Sequence, residues 1–124
     1  MATAIRIFVD DEAFEAELNE SPTAEAIKEA LPLEASASRW GDELYFSTSV
    51  SDEASDEARA DFDVGELGYW PPGNAFCIFF GPTPMSRGLR PAMANPGNPI
   101  GRVLNDTDPL LDSRAGANIR VELA

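Results

Sequence analysis

With 124 residues, of which 44% are hydrophobic, the chain is long enough to build one domain around its own core, and the absence of histidine excludes Ser-His-Asp and Cys-His catalysis and any imidazole-bound zinc. A formal charge of −13, from 22 acidic against 9 basic residues, argues against nucleic acid as a partner. One cysteine, Cys77, rules out an internal disulfide, and the longest apolar run, 75–80, is too short to span a bilayer.

Thr3 to Val9 alternates as a strand with one buried face. Asp10 to Glu20 is acidic and turn-like, with Phe14 and Leu18 spaced for a strand edge or one helical turn. A helix follows, with Ser21 as its N-cap and Pro22 in the first turn. Ala24, Ile27 and Leu31 share one face, and Pro32 stops the run. Leu33 to Trp40 and Glu43 to Thr48 form two strands turning at Gly41-Asp42, the second alternating Leu44 and Phe46 with Glu43 and Tyr45. Ser51 to Asp63 holds six acids and one arginine, as a solvated loop or short surface helix.

Glu66 to Trp70 and Ala75 to Gly81 are apolar strands joined by Pro71-Pro72-Gly73-Asn74. In the second, Phe76, Ile78 and Phe80 share one face and Ala75, Cys77 and Phe79 the other, and the sequence leaves open which faces inward. Pro82 to Pro99 has the composition of an exposed loop. Ile100 to Leu104 is another strand, Asp106 to Arg114 a short helix, and Asn118 to Leu123 a final alternating strand. Seven or eight short strands with one clear helix predict a mainly β fold, a closed or nearly closed barrel.

Two features of charge stand out. Lys28 is the sole lysine, the other bases being arginine, and such an acid-rich, lysine-poor composition suits a high-salt environment. The stretch from Leu67 to Asn105 contains no acid but holds Arg87, Arg90 and Arg102 with five aromatic residues. Burial of core strands explains its first half. A neutral or slightly positive ligand mouth, suited to a small acid or a peptide, is the alternative for the second. The N-terminus shows no apolar signal core, so a cytoplasmic location is expected. Acids that could gather round a hard cation are loosely spread, and neither a metal nor a cofactor is expected. Asp42 and Glu43 are read as a turn aspartate and a solvated strand residue, and Cys77 as a small buried hydrophobe.

The segments Arg39-Trp40-Gly41-Asp42-Glu43-Leu44-Tyr45-Phe46 and Val64-Gly65-Glu66-Leu67-Gly68-Tyr69-Trp70-Pro71-Pro72-Gly73-Asn74, continuing through Phe76 and Phe80 to Pro84, resemble a family of small uncharacterised prokaryotic proteins with a cyclophilin-like fold. The resemblance spans nearly the whole chain. It implies a closed eight-stranded barrel with one or two short helices, related to peptidyl-prolyl isomerases. True cyclophilins carry an arginine and phenylalanines on the barrel face, with a histidine and a tryptophan in flanking loops. By order along the chain, Arg39 stands nearest the arginine and Phe80 nearest a pocket phenylalanine; the histidine has no counterpart. Met93-Ala94-Asn95 matches a cyclophilin tripeptide but follows the Phe79-Phe80 strand instead of preceding it, so no role is carried over. Arg39, Tyr45, Tyr69, Trp70 and Phe80 are the candidate ligand-binding residues, with Trp70 at a rim and Tyr69 facing the opposite way. No catalytic residue is assigned. The sequence supports a binding domain for a small acid or proline-containing peptide first, a weak prolyl isomerase second, and a partner-binding proline-rich loop third, and leaves the oligomeric state open.

Overall fold

The computed structural model describes residues 2–124, in ten strands, one α-helix and two short 3-10 turns. β1 (Thr3–Val9) pairs antiparallel with β2 (Glu12–Leu18) and with the last strand, β10 (Asn118–Leu123). The acidic segment after β1 is therefore a full strand: Phe14, Ala16 and Leu18 are buried while Glu15 and Glu17 face out, so the acids mark its solvated face. Helix α1 (Pro22–Ala30) begins where expected. Ser21 is extended, and its hydroxyl accepts from the Ala24 N–H at 3.3 Å. Its buried residues Thr23, Ala24 and Ile27 lie against β2 and β9 (Ala92–Val103).

β3 (Leu33–Ser36) pairs with β10, and β4 (Ser38–Arg39) with β5 (Glu43–Ser47). Gly41 turns the chain between β4 and β5 with φ +62°, and a side chain there would also overlap the Pro82-Thr83 backbone. The acidic 51–63 segment contributes a short strand, β6 (Arg59–Asp61), paired with β9. β7 (Glu66–Trp70) and β8 (Ala75–Phe79) form the expected hairpin through a 3-10 turn at Pro71–Gly73, with Asn74 left-handed at φ 49°.

The largest departure from expectation is β9. Residues 92–99, expected in an exposed loop, belong to a twelve-residue strand that meets β6, β7 and β2 in turn. Its prolines are tolerated because the ladder is irregular there. The register shifts where Gly68 faces Pro99, and shifts again along β6.

The strand order is β3-β10-β1-β2-β9-β7-β8-β5-β4, with β6 off this path on β9. The mainly β expectation holds, with ten strands in place of eight. The hydrogen-bonded path is open, because no ladder joins β3 to β4. These two margins are instead successive along the chain, separated by Ala37, which exchanges backbone hydrogen bonds with Ala117 and Gly116 at 2.8 and 2.7 Å.

Two apolar clusters sit on opposite faces of this sheet. The larger includes Ile7, Leu18, Ile27, Leu44, Phe76 and Val121, with Phe46 and Phe76 stacked at 5.3 Å. The smaller joins Ala75, Cys77 and Phe79 of β8 to Phe62 and Met93, with Phe62 and Phe79 stacked at 4.8 Å. Gly68 makes room for it: a side chain there would meet Met93 and Phe62. Arg59 lies 4.5 Å over the Phe62 ring and makes a two-pronged bond to Glu66, at 2.9 and 2.6 Å. Burial raises the Glu66 carboxyl, but the hydrogen bonds from Arg59 and the Asp63 N–H, with the charges of Arg59 and Arg90, bring it below its ordinary value. No helix among the described residues is long and apolar enough to cross a membrane.

Candidate functional site

A cavity of about 260 Å³ opens beside the smaller cluster, lined by Trp40, Glu43, Tyr45, Trp70, Met93 and Ala94. The alternation of β5 sends Leu44 and Phe46 into the main core, which leaves Glu43 and Tyr45 on the opposite face. Trp40 is placed by the β4–β5 turn, where its N–H donates to the Glu43 carbonyl at 2.9 Å. Trp70 ends β7, and β9 supplies Met93 and Ala94. Both tryptophans of the chain lie on this one wall.

Glu43 is 4% exposed, against the expectation of a solvated strand residue. Burial pushes its carboxyl up to about 7, and the hydrogen-bonded Cys77 thiol offsets only part of the rise. The Cys77 thiol is pushed well above its usual range by burial and then by Glu43, which makes it a poor nucleophile. Trp70 Nε1 is the one buried side-chain polar atom among the described residues without a partner. With its N–H sealed, Trp70 presents ring surface to the cavity.

Of the five residues singled out in the sequence, the structure brings Tyr45 and Trp70 together here and places the others elsewhere. Tyr69 is fully buried on the other face of β7. Its hydroxyl lies 2.6 Å from the Val50 carbonyl and 3.0 Å from Asn74 Oδ1, and accepts from the Asp52 N–H. Phe80 belongs to the main core. Arg39 stacks 5.1 Å over the Phe80 ring. Four of its N–H bonds reach Gly41 O, Leu111 O, Ser113 O and Asp42 Oδ1, between 2.6 and 3.0 Å. The guanidinium thus ties the β4–β5 turn to the 3-10 turn at Asp108–Asp112, and Asp42 faces it and not Glu43.

Trp40, Glu43, Met93 and Ala94 were not among the candidate ligand-binding residues: Glu43 was read as a solvated strand residue, and no role was carried over to Met93 and Ala94. The face alternation of β5 would have paired Glu43 with Tyr45, but its burial beside Cys77 of β8 and Met93 and Ala94 of β9 depends on contacts distant in sequence. Of the acid-free stretch, Arg90 bonds to Phe62 O and Asp63, Arg102 to Glu17, and Arg87 is exposed, so no arginine lines the cavity. A second, more open groove of about 730 Å³ lies between the start of α1 and residues 52–57. Its buried Asn98 is already satisfied by Thr23, Glu53 and Ser55.

A family model described as Cyclophilin-like matches residues 3–122. The chain belongs to the cyclophilin-like family. A solved relative agrees with this: the solution structure of the hypothetical protein AF2241 from Archaeoglobus fulgidus is 39% identical, covers 99% of this chain and 95% of its own, and superposes with a TM-score of 0.82. No curated protein gives a significant match. Within this cyclophilin-like chain, the cavity offers a half-buried aromatic wall and one carboxyl that titrates near neutrality. Such a carboxyl can hold or release a proton at ordinary pH. Beyond Glu43, the Tyr45 hydroxyl and the indole N–H groups are the polar side-chain groups among the residues of the wall.

Proposed function

We propose that this cyclophilin-like domain binds a small molecule or a short peptide segment in the cavity between β5, β7 and β9, on the face of the sheet opposite the main core. The observation that carries the proposal is the wall itself: five of its six residues are apolar or aromatic, around a single carboxyl. Ligand sites are concave and mostly apolar, with a few polar groups that orient the guest. At about 260 Å³ the cavity falls just below the usual size of such sites, which run from roughly 300 Å³ upward, and suits a small group. Of the partners suggested by the sequence, a proline-containing peptide fits the aromatic wall, whereas a small acid would meet Glu43. We read the sheet as a barrel closed by the continuity of the chain through Ala37, with the cavity on its outside.

Intrinsic fluorescence tests the proposal directly, because both indoles line the cavity. Screening small molecules and proline peptides is expected to yield at least one saturable change in emission, and Trp70→Phe is expected to reduce it. A screen in which no compound shifts either emission or melting temperature would remove the proposal. Prolyl isomerisation ranks second. It needs no nucleophile, since the barrier is rotational, but it would be helped by a free cationic donor, and Arg39 is engaged by four protein oxygens. A protease-coupled assay on proline peptides that returns only the uncatalysed rate would end it.

A further inference from the structure

The same cavity narrows the kind of guest, an inference that rests on the binding proposal above. Three of its six lining side chains are the half-buried aromatics Trp40, Tyr45 and Trp70, and a fourth is the buried carboxyl of Glu43. Aromatic faces attract cations, and indole does so most strongly. The buried Nε1 of Trp70 leaves its ring as the surface it offers. No arginine or lysine lines the wall to compensate Glu43.

We propose that the cavity is a receptor for alkylated ammonium groups, seated among Trp40, Tyr45 and Trp70 with Glu43 as the counter-ion. A primary ammonium brings three N–H donors that need acceptors, and the side chains of this wall offer only the Glu43 carboxyl and the Tyr45 hydroxyl. A quaternary ammonium brings none and spreads its charge over methyl groups that aromatic rings accommodate. A carboxylate guest would face Glu43 as a like charge. The net charge of −13 adds a long-range attraction for cations.

Binding is coupled to the ionisation of Glu43. The titratable groups facing it are the Cys77 thiol from β8 and the Tyr45 hydroxyl from its own strand. Trp70 of β7 and Met93 and Ala94 of β9 carry no charge, and on β4 Arg39 is turned to Asp42. With the empty site titrating at about 7, a cation binds to the ionised form and releases a proton at lower pH. Affinity is therefore expected to fall roughly tenfold for each pH unit below that value and to level off above it.

The test is a fluorescence titration of the intact protein with choline, alongside its uncharged carbon isostere 3,3-dimethyl-1-butanol. Choline is expected to saturate at least about tenfold tighter than the isostere at pH ~8. Glu43→Gln, which copies the shape of the protonated acid, is expected to keep the fold by circular dichroism and to cut that advantage severalfold, leaving the attraction of the rings alone. A peptide bearing trimethyl-lysine, run in parallel, tells a free amine from a modified side chain by which binds more tightly. Equal binding of choline and isostere overturns the ammonium assignment and leaves the pocket intact, and a preference undiminished by Glu43→Gln overturns Glu43 as the counter-ion. Failure of both ligands to perturb the tryptophans overturns the assignment together with the pocket.

Discussion

On one face of β8, Phe76 and Ile78 enter a core built from strands all round the sheet and from α1. On the other, Ala75, Cys77 and Phe79 cluster with Phe62 and Met93, with Tyr45 and Trp70 at the margin. A strand buried on both sides shows a continuous apolar run, and 75–80 is such a run. The two sides differ in how completely they are filled. The first is covered by a whole fold, the second by one short strand and a bend in β9, and the unfilled remainder of the second is the cavity. Burial without full packing is what leaves Glu43 out of water and yet on the wall of a cavity.

The largest effect expected from this contrast is in the main core. Phe76→Ala should cost about 3–5 kcal/mol in chemical denaturation, whereas Phe79→Ala should fall near the low end of that range, because Met93 and Trp70 can settle toward the space. A greater loss for Phe79 than for Phe76 would reverse the ranking of the two sides. Next comes Glu43. Its carboxyl rises from 4.5 to about 7 on folding, so the folded state holds the extra proton, and stability is greatest at low pH and declines as pH passes from 4.5 to 7. That shift corresponds to roughly 3 kcal/mol by linkage. Glu43→Gln is expected to raise the melting temperature at pH ~8 and to leave it unchanged near pH 4. Equal effects at both would show that folding leaves the Glu43 carboxyl at its ordinary value.

Arg39→Ala is expected to lose about 1–3 kcal/mol, from carbonyls and a carboxylate left without their donor, while ligand-induced changes in tryptophan emission persist. Loss of those changes at preserved stability would bring Arg39 into the site. The smallest effect belongs to the surface: Arg6→Ala breaks a pair with Glu15 whose partners are 40% and 46% exposed, and is expected to cost below about 1 kcal/mol. The same acidic surface tests the high-salt expectation. Melting temperature should climb as molar salt screens the net charge, and an indifferent melting temperature would remove that expectation.

The hairpin of β7 and β8 and the cap of α1 were legible because their signals are local: a Pro-Pro-Gly-Asn turn between apolar runs, and a serine before a proline. β2 and β9 were not. Glu12, Glu15 and Glu17 hid an alternation that burial of Phe14, Ala16 and Leu18 makes plain. Pro96 and Pro99 argued against a strand that survives only because its ladder shifts register around them. The site was half legible. Tyr45 and Trp70 declared themselves by type and position, whereas Glu43 reads as an ordinary exposed acid until Cys77, Phe79 and the cover over them are in place.

Ala37 has an implication for how the molecule can be opened. Because the sheet's two margins are consecutive in the chain, a single nick at this residue would unclasp them together. With no ladder between them, each margin already carries unpaired amides and carbonyls, and parting the two would lay these open as a template on which another polypeptide can add a strand. A circular permutant beginning there is expected to self-associate on gel filtration, while one cut in the exposed loop near Gly88 stays as dispersed as the parent.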